Sequence, residues 1–422
     1  MYTRRSMFKH TGLAALASAL LPNRNLGQAQ SVRSIYDQKL PLVLRIICDG
    51  GWDQSMVFDP QFSSTFVERE RDLSLKWYGN LPLAFAPARP ATDRFFEKYS
   101  SEILLLNGVA FSSLEHQSAQ RSFQGVTSSE SGSFQDYLGY YAIKRTPHFK
   151  IPHLRIDLDP IPNGIYDEHN IDLSSTNIRN MLMGASDDRA SHTPSPEVQN
   201  YLNQNYRNMI STSEGITERQ RSWRIYRSYA HELEWNQMRK QLTEGVGYDE
   251  GRSPFFRNTL LSLALMSKGL TSCATMRHGE PLEWDSKGNF FENQSKLFES
   301  LFTDLFDLLL RPEAASIRDR LYIMVGSERG RGPKADTQGI KLHTSSTSLL
   351  MMGPSIKSNI VIGASDSYLQ STKIAFRSHD RNEKPVLRDL RLSNIYATLF
   401  DLWGCERSGI LKTEEPIRLM ME

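Results

Sequence analysis

The chain's 422 residues, 39% of them hydrophobic and 23% charged, are enough for one large α/β domain or two smaller ones. The formal charge of +2 belongs to the first 29 residues: Arg4, Arg5, Lys9 and Arg24 lie there with no acid among them, and taking four from the 50 basic residues leaves 46 against 48 acidic ones. A slightly acidic remainder argues against nucleic acid as the main partner, because a phosphate polymer needs a basic face.

Met1 to Lys9 read M-Y-T-R-R-S-M-F-K, an uncharged stretch runs from Thr11 to Leu21, and Gly27-Gln28-Ala29 follows with small residues at a cleavage-like spacing. This is the layout of a bacterial export signal of the twin-arginine type over residues 1–29. It predicts a periplasmic or secreted protein and contact with the twin-arginine export machinery. The apolar stretch is about 11 residues, too short to cross a hydrocarbon layer of about 30 Å, and no other stretch approaches ~20 apolar residues. The mature chain is therefore expected to have no membrane span.

Leu40 to Cys48 (L-P-L-V-L-R-I-I-C) is a short apolar run rich in β-branched residues and ends in Asp49-Gly50-Gly51-Trp52-Asp53. It predicts a buried strand running into a tight loop. Ile103 to Val109, Leu270 to Met276, Leu321 to Val325 and Leu349 to Met352 predict four more strands of the same kind. A short helix is predicted from Gln117 to Phe123. Leu297 to Leu310 has apolar residues at helical spacing with acids opposite, and Asn394 to Trp403 reads as another helix facing the core. The stretch from about 140 to 251 is polar and loop-like, and carries one long predicted helix from about Thr217 to Leu242 with Trp223, Tyr226, Tyr229 and Leu233 along one side. That stripe is read as packing against the main domain, or else as a lid. Strands alternating with helices predict an α/β fold with a mostly parallel sheet covered on both faces. An odd set of three cysteines, Cys48, Cys273 and Cys405, argues against a disulfide framework.

Ligands of such sheets bind beyond the carboxyl ends of the strands, so the polar residues there are the candidates. They are Asp49 and Asp53; Ser112, Ser113, Glu115 and His116; His278, Glu280, Glu283 and Asp285; Ser327, Glu328, Arg329 and Arg331; and His343 before a Ser/Thr run. Asp49, Asp53, His116, Asp285, Glu328 and His343 together suit a divalent metal such as Zn²⁺ or Mn²⁺. Such a metal would activate a hydroxyl such as Ser113, with Arg329 and Arg331 holding a tetrahedral anion. Each residue also has a structural reading: turn caps for the Asp and Ser residues, a salt bridge for Glu328, hydrogen-bonded loop positions for the histidines.

Several stretches together resemble a known family: L-Y-I-M-V-G-S-E-R-G-R-G-P from Leu321, G-I-K-L-H from Gly339, L-L-M-M-G-P from Leu349, I-V-I-G-A-S-D from Ile360, G-G-W-D at Gly50 to Asp53, and R-D-L-R-L-S-N-I-Y-A-T-L-F-D-L-W-G from Arg388. They are similar to the twin-arginine-exported bacterial family known as domain of unknown function 1501, a relative of the alkaline phosphatase and sulfatase superfamily. The resemblance implies an alkaline-phosphatase-like three-layer α/β/α sandwich over residues 38–410, with the stretch at about 140–251 as an insertion. It supplies no activity. The chain departs from the family pattern at two ligand-like positions: Lys287 stands where the family has a histidine after the third strand, and Leu342 stands where it has an acid before His343. Two functions follow. One is a metal-dependent hydrolase of a small-molecule or glycan phosphate or sulfate ester. The other is a non-catalytic binding or assembly protein of the cell envelope, in which Lys287 fills a vacated cation position and pairs with Glu328.

Overall fold

A computed structural model of the chain describes residues 40–111, 113–125, 133–145, 149, 151–158, 171–173, 196–212, 249, 251–376, 385–407 and 409–421. The chain divides into two units, Met1–Lys39 and Leu40–Glu422, and every described residue belongs to the second. The predicted export signal and the predicted helix at 217–242 lie outside the described residues, as does most of the stretch at 140–251.

The short, largely apolar runs become interior strands. In chain order the elements are β1 (Leu42–Ile47), β2 (Ser74–Tyr78), β3 (Leu81–Phe85), α1 (Pro90–Tyr99), β4 (Ile103–Ala110), α2 (His116–Phe123), α3 (Phe134–Arg145), β5 (Ile151–Ile156), β6 (Ile171–Leu173) and α4 (Pro196–Thr212). There follow α5 (Pro254–Ser267), β7 (Thr271–Arg277), α6 (Phe290–Leu309), α7 (Pro312–Ala315), β8 (Leu321–Gly326), β9 (Gly330–Ala335), β10 (Lys341–Thr344), β11 (Ser346–Met352), β12 (Ile360–Ile362), β13 (Ile374–Phe376), β14 (Val386–Arg388), β15 (Leu390–Arg391) and α8 (Leu392–Leu402).

The main sheet has nine strands in the order β12-β4-β11-β8-β1-β7-β5-β6, with β15 also paired to β4. All its pairings are parallel except the two made by β11, which runs antiparallel to β4 and β8. Alternation along each strand sends side chains to opposite faces. Leu42, Leu44 and Ile46 of β1 join Phe95 and Phe96 of α1, Leu261 and Leu265 of α5 and Phe298 and Leu301 of α6 on one side. Val43 and Ile47 join Phe123 of α2, Leu138 of α3 and Ile395 and Tyr396 of α8 on the other. Full burial of such a side chain contributes about 1.5–3 kcal/mol, so both layers are held by the sheet's own alternation. This is the three-layer α/β/α arrangement with a mostly parallel sheet that the sequence predicts.

Two of the predicted elements differ from the sequence reading. Helix α6 starts at Phe290, two turns before the predicted Leu297, because Glu292, Asn293, Gln294, Ser295 and Lys296 break the apolar spacing while Gln294 is itself buried. Strand β11 runs against its neighbours, so its amino end, and not Gly353-Pro354, lies on the same edge as the carboxyl ends of β1, β4, β7 and β8. All three cysteines are free and buried. Among the described residues no helix is long and apolar enough to cross a membrane.

Candidate functional site

The carboxyl edge of the sheet is organised by the Gly50-Gly51 loop after β1. Both glycines have positive φ, 117° and 92°, a conformation that side chains disfavour. A Cβ at Gly50 would lie 2.3 Å from the Asp285 nitrogen. Trp52 pins the loop. Its ring is fully buried, 5.8 Å from Phe298 and 6.1 Å from Trp284, and its indole nitrogen donates to Thr347 Oγ1 at 2.8 Å.

Arg331, expected to hold a substrate anion, lies inside this loop instead. Its Nε donates to the Gly51 carbonyl (2.8 Å), its Nη1 to the Lys341 carbonyl (3.0 Å), and its Nη2 to the carbonyls of Gly50 and Trp284 (both 2.9 Å) and to Asp285 Oδ1 (2.8 Å). All three nitrogens are engaged and the residue is buried. Arg331 ties three loops together, and the anion-holding role assigned to it is corrected accordingly.

The acids come to one edge, and most meet cations there. Asp53 Oδ1 accepts from Ser55 nitrogen (3.0 Å) and Ser55 Oγ (2.6 Å), capping the turn after it, while its Oδ2 accepts from Lys341 Nζ at 2.8 Å. Both members of that ion pair are 0% exposed. Lys341 Nζ also donates to the Glu68 carbonyl at 2.7 Å. Asp285 pairs with Arg331 and lies 3.3 Å from His343 Nε2. The His343 hydrogen bond, then the Arg331 guanidinium, holds its carboxyl down at about 2. Burial pushes the His343 imidazole below its ordinary value, against the pull of Asp285. Asp49 Oδ1 accepts from Gln120 Nε2 of α2, and its Oδ2 accepts from Leu282 nitrogen and lies 3.1 Å from Arg277 Nε.

Glu328 differs. It accepts from Gly50 nitrogen (2.9 Å) and Ser327 Oγ (3.1 Å), and Arg329 Nε lies 3.8 Å away. Burial, then the neighbouring Asp49 charge, pushes its carboxyl up to about 8. Arg329 is buried and donates from Nη1 to the Leu114 carbonyl, yet its Nε and Nη2 make no hydrogen bond. Burial, then the Arg331 charge, lowers its guanidinium to about 10.

Ser113, the candidate nucleophile, accepts from Glu115 nitrogen at 3.1 Å and so braces the turn before α2, whose first residue is His116; the His116 side chain lies outside what the structure describes. Lys287 is exposed and forms no ion pair among the described residues, and Leu342 is 66% exposed. The expected Lys287–Glu328 pair is thus corrected. The ammonium that enters the acid cluster is Lys341, at the start of β10, and it pairs with Asp53.

A divalent metal needs lone pairs that point at a common centre. Here the carboxylates of Asp53, Asp285 and Asp49 each face a cationic side chain that offers donors and no lone pair. Among the described residues no three His, Cys, Asp or Glu side chains form a group able to hold a metal ion. These residues do not fit the expected Zn²⁺ or Mn²⁺.

The sequence reading missed Lys341 and Arg277. The signal for Lys341 was the short G-I-K-L-H strand, in which alternate residues share a face. The signal for Arg277 was its place as the last residue of a buried strand, beside the Asp-bearing loop after β1.

No family model and no curated protein matches the chain. Solved structures similar to it include an alkaline phosphatase superfamily protein from Vibrio parahaemolyticus, at 11% identity over 90% of this chain and 71% of that one, with a TM-score of 0.41. The lipoteichoic acid synthase LtaP from Listeria monocytogenes is similar at 10% identity over 92% and 79% of the two chains, TM-score 0.38. A phosphonate monoester hydrolase of Agrobacterium radiobacter is similar at 11% identity over 90% and 77%, TM-score 0.33. Each is a protein to which this chain is similar, and none carries an activity across.

Proposed function

We propose that this chain is an exported protein of the cell envelope that binds the anionic group of a phosphate or sulfate ester, small-molecule or glycan, without hydrolysing it. The observation that carries this reading is Lys341, whose ammonium sits 2.8 Å from Asp53 with both side chains fully buried. A tethered cation there takes the place in the charge balance that a metal would otherwise hold. Arg331 and Arg277 do the same for Asp285 and Asp49. Arg329 supports the anion: a buried guanidinium whose Nε and Nη2 make no hydrogen bond costs free energy until an acceptor fills the gap, and tetrahedral oxyanions suit its planar donors. The resemblance to the twin-arginine-exported family, together with Arg4-Arg5 and the small residues up to Ala29, supports export to the periplasm or beyond.

The test has two arms. Calorimetry with inorganic sulfate and phosphate should show saturable binding that Arg329→Gln abolishes. Elemental analysis of the same preparation should find no stoichiometric zinc or manganese, and generic aryl phosphate and sulfate esters should not turn over. Stoichiometric metal, with turnover that is lost in Glu328→Ala, would overturn the reading in favour of the hydrolase.

A further inference from the structure

Between residues 68–71, ahead of β2, and one side of α6 lies a cavity of about 1220 Å³. Small-molecule sites commonly measure about 300–1,000 Å³, so this one has room for a guest of more than one ring. None of Asp53, Glu328, Arg329 and His343 is among the described residues that line it. It is a separate place, and what it binds does not depend on anion binding at Arg329.

The acids of the wall are numerous but matched. Glu292 pairs with Lys296 of the same wall at 2.6 Å, and Glu70 pairs with the buried Arg89. Glu299 accepts from the Ala91 nitrogen (2.8 Å) and the Thr92 nitrogen (3.1 Å) at the amino end of α1, where the helix dipole favours negative charge. Asp304 accepts from Ser253 Oγ at 2.5 Å and has Arg252 Nη2 at 3.7 Å. Glu68 shares the wall with the guanidiniums of Arg69 and Arg71. Among the described residues no three His, Cys, Asp or Glu side chains form a group able to hold a metal ion. Charges of both signs alternate around the cavity, so it selects neither a cation nor an anion, while its polar groups exclude a purely apolar guest.

Several of these groups are held in place and keep hydrogen-bonding capacity. Glu70 Oε2 faces Arg89, and Glu68 Oε2 accepts from the Ala335 nitrogen at 2.9 Å; the other oxygen of each is bonded to no described residue. Ser295 of α6 is 6% exposed and accepts from Arg89 Nη1 at 3.2 Å, while its own hydroxyl hydrogen goes to no described residue. A buried donor left without an acceptor is costly. Fixed acceptors beside a fixed donor suit guest groups that both donate and accept, which is the property of a hydroxyl. The half-buried ring of Phe291 lines the same cavity. It is positioned by Phe290, 5.5 Å away and nearly perpendicular, and by Lys341 Nζ at 5.1 Å. An aromatic ring offers a broad apolar contact surface. A guest with hydroxyls around its rim and C–H groups on its faces uses both kinds of contact, and that combination is a sugar ring.

We propose that this cavity binds a neutral saccharide of two or more rings, with Glu68 and Glu70 accepting from its hydroxyls, Ser295 donating to it and Phe291 against a C–H face. The test is titration calorimetry on the full chain with the neutral disaccharides cellobiose, lactose, maltose and diacetylchitobiose, and with sorbitol as a polyol control that has no ring. At least one disaccharide should bind saturably, with the same affinity in low and in high sodium chloride because the guest carries no charge, and sorbitol should not. Phe291→Leu should weaken that binding by about tenfold or more. Glu68→Gln, which exchanges a charged acceptor for a neutral one of the same shape, should weaken it by about fivefold, while sulfate binding at Arg329 stays as in the wild type. Where Phe291→Leu fails to fold, Glu68→Gln decides. No saturable binding of any of these disaccharides, equal binding of sorbitol, an affinity that collapses in high salt, or an unchanged affinity in Glu68→Gln would each overturn the proposal.

Discussion

Lys341→Met probes the charge replacement at its centre. The variant keeps an unbranched apolar side chain and removes the ammonium. Asp53 stays behind at 0% exposure, with Ser55 still bonded to Oδ1 and no ammonium at Oδ2. Breaking a fully buried pair from one side costs about 3–5 kcal/mol, against about 0–1 kcal/mol for an exposed pair. Losing the 2.7 Å bond to the Glu68 carbonyl adds about 1 kcal/mol. With a urea dependence near the upper end of the usual range, about 3 kcal/mol/M, the unfolding midpoint should fall by more than about 1 M. Adding Asp53→Asn to that background removes the stranded charge and should recover a large part of the loss. A Lys341→Met midpoint within error of the wild type, or a double variant no more stable than the single, would refute the pair as a source of stability.

Three further outcomes follow from the same geometry. Glu328 titrates near 8 in the folded chain against an ordinary 4.5, so the folded state holds the extra proton and stability falls as pH rises through that window; Glu328→Gln should flatten this limb, read from urea midpoints on either side of it. Asp285 is held down from 3.8 to about 2, so its contribution is present above 3.8 and lost as pH falls towards 2. Asp285→Asn should remove that acid limb and cost about 1–3 kcal/mol at neutral pH, measured by denaturation. Gly50→Ala places a Cβ 2.3 Å from backbone at a φ of 117°; it should destabilise by several kcal/mol and disturb the Arg331 bonds, seen as a lowered midpoint, whereas Gly339→Ala, whose Cβ meets nothing within 4 Å, should cost only the strain of its positive φ.

The strands that were legible are short, largely apolar runs, as in L-V-L-R-I-I of β1, where Arg45 alone is charged, and a sheet covered on both faces leaves few other places for such runs; β5, I-P-H-L-R-I, is broken by Pro152, His153 and Arg155 and was not legible. The direction of β11 was not legible. Leu349–Met352 has the same composition as a parallel strand, and only its register against β4 and β8 sets its sense. That direction is what carries His343 to the edge. The acids of the site were visible as polar residues after strands, but their partners were not. Arg331 looked like an anion ligand because its neighbours in sequence do not reveal that the carbonyls of Gly50, Gly51, Trp284 and Lys341 surround it, three of them from loops far away in the chain. Lys341 and Leu342 are adjacent, one 0% and the other 66% exposed, and the family pattern aligns its acid with the exposed one.

Glu328 and Asp285 show why the cations matter. Both are carboxylates on one edge of one sheet, and they titrate in opposite directions. Asp285 has the His343 imidazole at 3.3 Å and a guanidinium nitrogen at 2.8 Å, and is partly exposed; Glu328 lies 3.8 Å from Arg329 Nε and is fully buried. Burial disfavours charge, and a hydrogen bond to the charged form, together with a cation at bonding distance, reverses that. On this edge Asp53, Asp285 and Asp49 each have a side-chain cation beside them. A bound metal would supply one only while the metal is present, whereas Lys341 and Arg331 are covalently part of the chain and cannot be diluted or chelated away. The thermal midpoint of the purified protein should accordingly be the same with and without a strong chelator, and the same after adding zinc or manganese. A midpoint that drops on chelation and recovers with one metal would mean that a divalent ion, and not the side-chain cations, balances these acids.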